Sequence, residues 1–184
     1  MSGIATAQVV HGLSALSEED ILFGQCWPSI ARVVLAHGFS WTALADLVAM
    51  DGGDDSALDT KLTELHNQID RYLEKSPRLD PWDVVAGIYG RAWRMKLIDP
   101  ISAMWRMDNL WWQIRDLDYD NRDGLRIIWA GMGVKEQDIV DLPRQAVESL
   151  GTDVLTKADL LLPPDAVDRQ LCKTIRDALE ANGY

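Results

Sequence analysis

Along most of the chain, apolar residues recur every three or four positions, and alternating strand-like runs of useful length are missing. The clearest stripe is Leu58, Leu62, Leu65, Ile69 and Tyr72, on one face of a helix predicted to open at Ser56 and Asp59 and to end at Ser76-Pro77. Punctuation elsewhere agrees. Pro28 suits the first turn of a helix that stops at Gly38, and Ser40 is placed to cap another over 41–50. Asp80-Pro81 and Asp99-Pro100 each pair a capping aspartate with a proline at the first helical position, predicting helices over 81–96 and 100–116. Ser17 and Asp20 form a capping-box pattern before a short helix through Ile21, Leu22 and Phe23. Further helices are expected at 122–132, closed by Gly131 and Gly133, then at 135–141, at 143–150 before Gly151, at 157–162 and at 165–181. The expected fold is all-α, a single compact globular domain over 1–184 with about eight or nine helices. A looser C-terminal subregion over 134–184 fits the shorter pieces there.

The segment 100–116 is apolar around most of its circumference, which predicts a helix central to the fold or one that faces a partner. Ser102, Arg106, Asn109, Gln113 and Asp116 make one narrow polar stripe. Trp105 and Trp112 share a second apolar line with Asp108 and Arg115. A carboxylate flanked by Trp and Met needs a cationic partner, so Asp108 is expected in a buried brace with an arginine. From Arg91 to Arg106, the bases Arg91, Arg94, Lys96 and Arg106 face only Asp99, a local excess that could hold an anion.

Composition narrows the classes. The chain has 184 residues, 47% of them hydrophobic, with 18 basic against 29 acidic side chains and a formal charge of −11. That apolar content excludes a disordered chain, and the charge disfavours a general nucleic-acid binder. Helices 28–37 and 41–50 meet at a tight turn, but 41–50 carries Asp46 and no base, so DNA reading is not expected. No apolar run is long enough for a membrane span, and no secretory signal is visible. Cys26 and Cys172 are expected as buried, reduced thiols, which places the chain in a bacterial cytosol or a phage-infected host cell.

Local chemistry is sparse. His11, His37 and His66 stand alone in the sequence, without HxxxH, HExxH or ExxH spacing or a neighbouring acid. Asp51, Asp54, Asp55 and Asp59 miss the spacing of a calcium loop, as do Asp116, Asp118, Asp120 and Asp123. No phosphate loop, nucleophile elbow or CxxC pair is present. No catalytic residue, metal or cofactor is expected, and enzyme activity is disfavoured. The leading expectation is an acidic interaction protein, of the kind of immunity proteins and phage inhibitors, that blocks or escorts a basic protein partner. Asp51, Asp54, Asp55, Asp59, Trp105 and Trp112 would form its contact surface. A homo-oligomeric assembly subunit is the second expectation. The third is a helical enzyme or ligand-binding domain with a pocket between helices 81–96 and 100–116, using Arg94, Arg106, Asp108 and Arg115.

Overall fold

The structure, a computed structural model, describes residues 3–18, 22–50, 55–115, 122–139 and 142–183. Among these the chain is all-α, with nine helices and no strand. They are α1 (Gly3–Glu18), α2 (Trp27–Ala36), α3 (Thr42–Ala49), α4 (Asp55–Tyr72), α5 (Pro81–Arg94), α6 (Pro100–Ile114), α7 (Asp123–Ile139), α8 (Arg144–Asp159) and α9 (Arg169–Ala181), with a short 3-10 turn at Gly24–Cys26. No described helix is long and apolar enough to cross a membrane. The contacts divide into two compact units: residues 1–81 with 164–178, and 82–163 with 179–184.

In the first unit α1 is the enclosed helix. Every residue from Ala5 to Ser14 is buried. A helix covered on all sides needs no apolar stripe, so nothing periodic marks it in the sequence. Its four buried polar residues are each matched to another group. Thr6 donates to the Ala166 carbonyl at 2.8 Å, and Gln8 donates to the Pro77 carbonyl. His11 meets Asp70, and Ser14 meets His66. Ser17, expected to open a helix, lies in the last turn of α1 instead, where its Oγ accepts the Trp27 indole N–H at 2.7 Å. The Leu22 N–H bonds back to the Leu16 carbonyl as the chain leaves α1. Asp20 and Ile21 lie outside the described residues.

The predicted stripe of α4 packs as expected at Leu58, Leu62, Leu65 and Ile69, but Leu73 rather than Tyr72 completes it. Ser40 does not cap α3; Trp41 holds that position without a capping side chain. The free N–H of Ala43 points to Gln68 Oε1 of α4, and Gln68 Nε2 donates to Thr42 Oγ1 at 2.8 Å. Cys26 is half-buried rather than buried, and neither thiol is in a disulfide.

In the second unit the enclosed helix is α5, buried from Val84 through Ala92, and not the Trp-rich α6. Close helix packing here depends on glycine. A Cβ on Gly90 would stand 2.2 Å from the Asp159 backbone nitrogen, and one on Gly124 would stand 2.3 Å from the Trp82 carbonyl carbon. Gly131 faces Met107 and Gly151 faces Met104 and Pro100, so α7 and α8 run straight through glycines that the sequence pattern reads as stops. Four predicted short helices are therefore two long ones. Helix α5 ends where Lys96 turns left-handed (φ 56°), with Leu97 N–H bonding to the Ala92 carbonyl in a glycine-type stop made without glycine.

Arg91 is fully buried on α5. Its Nε donates to Asp159, and its Nη2 donates to the carbonyls of Leu162 at 3.2 Å and Pro163 at 3.1 Å. Arg94 reaches the second oxygen of Asp159 at 3.1 Å. Asp99 caps α6 as expected, accepting the Ser102 N–H at 3.0 Å. Asp83, in the first turn of α5, accepts the Gly124 N–H at 2.7 Å and so serves the start of α7.

Two tests follow from this packing. Gly90→Ala forces a methyl into α8 backbone and should destabilise by about 3 kcal/mol. Gly133→Ala meets nothing within 4 Å and should stabilise by about 0.8 kcal/mol in denaturant titration. Similar effects for the two would contradict glycine-dependent contact. The Ser102 hydroxyl and N–H hold Asp99 below its ordinary 3.8. Its cap is thus intact above the unfolded value and is lost as pH falls through the lower folded value. Asp99→Ala should cost about 1 kcal/mol at pH 7, and the gap to wild type should close under acid.

Candidate functional site

The expected site residues fall in both units, and in the second Lys135 brings Trp105 and Asp108 together. Asp51 and Asp54 lie outside the described residues, as does the Asp55 side chain, while Asp59 is exposed on α4. On α6, Trp105 and Trp112 are 44% and 59% exposed, and Trp129 of α7 is also exposed. Lys135 lies 4.6 Å over the Trp105 ring and Arg115 5.2 Å over Trp112. Asp108 is buried and paired, but with Lys135 at 2.9 Å rather than with an arginine. Arg94 belongs to Asp159, and Arg106 faces Glu180 at 3.9 Å. Arg91 and Arg94 thus share Asp159 while Arg106 faces another acid, so all three arginines of this segment are already met by a carboxylate.

Cavities of about 570, 400 and 530 Å³ are all built from the first unit, none of them lined by α5 or α6. The one of about 570 Å³ lies where five helix ends meet: the starts of α1, α3 and α9 and the ends of α2 and α4. Gly38, left-handed at φ 86°, turns the chain after α2 and brings Phe39 and Trp41 into the cavity wall. Tyr72 joins them from the last turn of α4. Phe39 and Trp41 have ring centroids 4.6 Å apart and tilted, and Tyr72 stands edge-on to Trp41 at 5.6 Å. The three rings therefore touch one another and make a continuous aromatic wall, not an open cage.

The polar lining is Thr6, His37, Ser40 and Asp168. Asp168 Oδ1 accepts the Leu171 N–H at 2.8 Å, which fixes the carboxylate at the start of α9. Its Oδ2 lies 3.3 Å from His37 Nε2, close enough for ion pairing, yet that nitrogen has no aligned hydrogen bond and is buried. The carboxylate can accept a donor brought in by a ligand.

A second cluster joins α1 to α4. His11 Nε2 is 3.1 Å from Asp70 Oδ1, the His11 and His66 rings are 4.4 Å apart, and Arg78 binds Asp70 Oδ1 through Nε at 2.8 Å. All three histidines that look isolated in the sequence thus have polar partners. Those of His11 and His37 are acids 59 and 131 residues away. Sequence spacing cannot reveal such pairs, although His66 and Asp70 sit four apart on one helix face and were the local signal to find.

No protein family is matched by this chain, and no curated protein or solved structure is similar to it.

The exposed and buried faces of α6 can be separated by mutation. Trp112→Ala should change unfolding free energy by less than about 1 kcal/mol, whereas Met107→Ala should cost about 2–5 kcal/mol. Equal losses in thermal or urea unfolding would mean that Trp112 belongs to the core.

Proposed function

We propose that the protein is a small-molecule-binding protein whose ligand occupies the aromatic-walled cavity beside His37 and Asp168. The observation that carries this reading is that three contiguous rings, Phe39, Trp41 and Tyr72, line one cavity of about 570 Å³ together with the Asp168 carboxylate. That volume lies in the range of drug-sized and cofactor-sized sites, roughly 300–1,000 Å³. Flat or cationic groups gain from the π-faces, and Asp168 supplies the countercharge. The net charge of −11 favours approach of a cation from solution. The ligand class is therefore a planar or methylated amine. Two free thiols suit a reducing compartment such as the cytoplasm.

A panel of aromatic and quaternary amines, screened by thermal shift and then calorimetry, tests the reading. Asp168→Asn keeps a helix-capping side chain but removes the charge, and should weaken a cationic ligand about tenfold. Trp41→Ala should weaken it further. A panel without a hit, or affinities indifferent to both changes, refutes the proposal.

A second reading rests on Trp105 and Trp112, seven residues apart on α6 and both exposed. It is the acidic partner-binding protein expected from composition, whether inhibitor, escort or one copy of an assembly. Exposed tryptophans of this kind are frequent anchors at protein interfaces. Its mark would be loss of partner capture in Trp112→Ala with unchanged stability.

A further inference from the structure

The second cluster of the first unit points to an ion. We propose that His11, His66 and Asp70 bind a divalent transition-metal ion of the zinc type, clamping α1 to α4. One ligand atom from each of the three lies within 4.8 Å of the others. His11 Nε2 and Asp70 Oδ1 are 3.1 Å apart, near the roughly 3.3 Å that separates two ligands on one tetrahedral zinc ion.

The hydrogen bonds around the cluster set the donor atoms. Ser14 Oγ donates its only proton to the His11 carbonyl at 2.7 Å. With that proton so placed, the His66 Nδ1 atom, 2.8 Å from the same oxygen, is the donor to Ser14 in the tautomer we assign. That leaves His66 Nε2 with its lone pair free, and a bond of this kind on the far nitrogen is what orients metal-ligating histidines. On His11 the Nδ1 atom is buried and has no hydrogen-bond partner. The ring is thus not tied to one tautomer by Nδ1. When an ion takes Nε2, the ring proton moves to Nδ1, and the His11 ring itself gives up only its bond to Asp70.

Arg78 is the group that opposes the ion. Its Nε and Nη2 lie 2.8 and 2.7 Å from Asp70 Oδ1. Its side chain is 40% exposed, so the guanidinium has solvent to retreat into when a dication arrives. Asp70 also lines a cavity of about 530 Å³ with Asn67, Arg71, Glu74 and Arg78, which gives the ion a route from solvent.

The test uses the full chain, stripped with chelator and titrated with Zn²⁺ and Co²⁺ alone. One equivalent of Co²⁺ should give visible absorption of a low-coordinate nitrogen–oxygen site, and Zn²⁺ should raise the melting temperature. His66→Gln and Asp70→Asn should each weaken binding at least tenfold, and Ser14→Ala about tenfold through the lost orienting bond. Arg78→Gln should tighten binding severalfold, an effect that adventitious binding elsewhere would not show. His37→Gln, at the separate cavity, should leave the affinity unchanged. Non-saturating binding, or affinity unmoved by Asp70→Asn and Arg78→Gln, overturns the proposal. If His66→Gln fails to fold by circular dichroism, the wild-type cobalt spectrum and the response to Arg78→Gln decide alone.

Discussion

The second unit is organised by one buried ion pair, Arg91 with Asp159, set beside a backbone contact that only glycine permits. Gly90 brings α5 against the end of α8, and Arg91 in the next position has nowhere to go but into that seam. A buried pair of this kind yields little net stability by itself, because both charges lose their water. It holds because every side is answered. Asp159 receives Arg91 and Arg94, and the spare donors of Arg91 satisfy the carbonyls of Leu162 and Pro163 just after α8. The pair thus fixes where the chain turns away from α8. Removing either partner would leave an unanswered charge in the core, worth roughly 3–5 kcal/mol.

The first unit solves the same problem of register by different means. Its enclosed helix α1 carries no charge pair of this type; it carries Thr6, tied to Ala166, Gln8, tied to Pro77, and His11 and Ser14, both tied to α4. Satisfied polar groups in a dry interior reward one alignment and penalise others, since any slip leaves them unpaired. Glycine contacts in one unit and polar pins in the other both trade general hydrophobic burial for a single allowed fit.

These two devices also explain what the sequence reveals and what it hides. Helices α4 and α6 are legible because each has a half-wet circumference and a cap or an apolar stripe at regular spacing. The cap of Asp99 and the stripe from Leu58 to Ile69 follow local rules. Helix α1 is hidden because burial on every side erases the period. Gly131 and Gly151 mislead because a glycine that stops a helix and a glycine that admits a neighbour look alike in one dimension. Lys96 misleads in the opposite sense, stopping a helix without glycine. The cavity was not legible at all. Its wall joins Trp41 to Tyr72, and its polar side joins His37 to Asp168, pairings that exist only after the helix ends have met.

Both candidate sites depend on α1, and that gives them a physical relation. Thr6 stands in the wall of the cavity, and His11 stands in the histidine cluster five residues later, roughly 7.5 Å along the same helix. An enclosed helix pinned at four points moves as a rigid body or not at all. An ion drawn to His11 would therefore restrain the Thr6 side of the cavity without touching it, by removing the freedom of α1 to shift against α4. A ligand against Trp41 and Tyr72 would restrain the same last turns of α4 that carry His66 and Asp70. Each would lower the ordering cost left for the other, so coupling between them would be positive and reciprocal. Such coupling needs no change of fold, only a common helix whose position both occupants prefer.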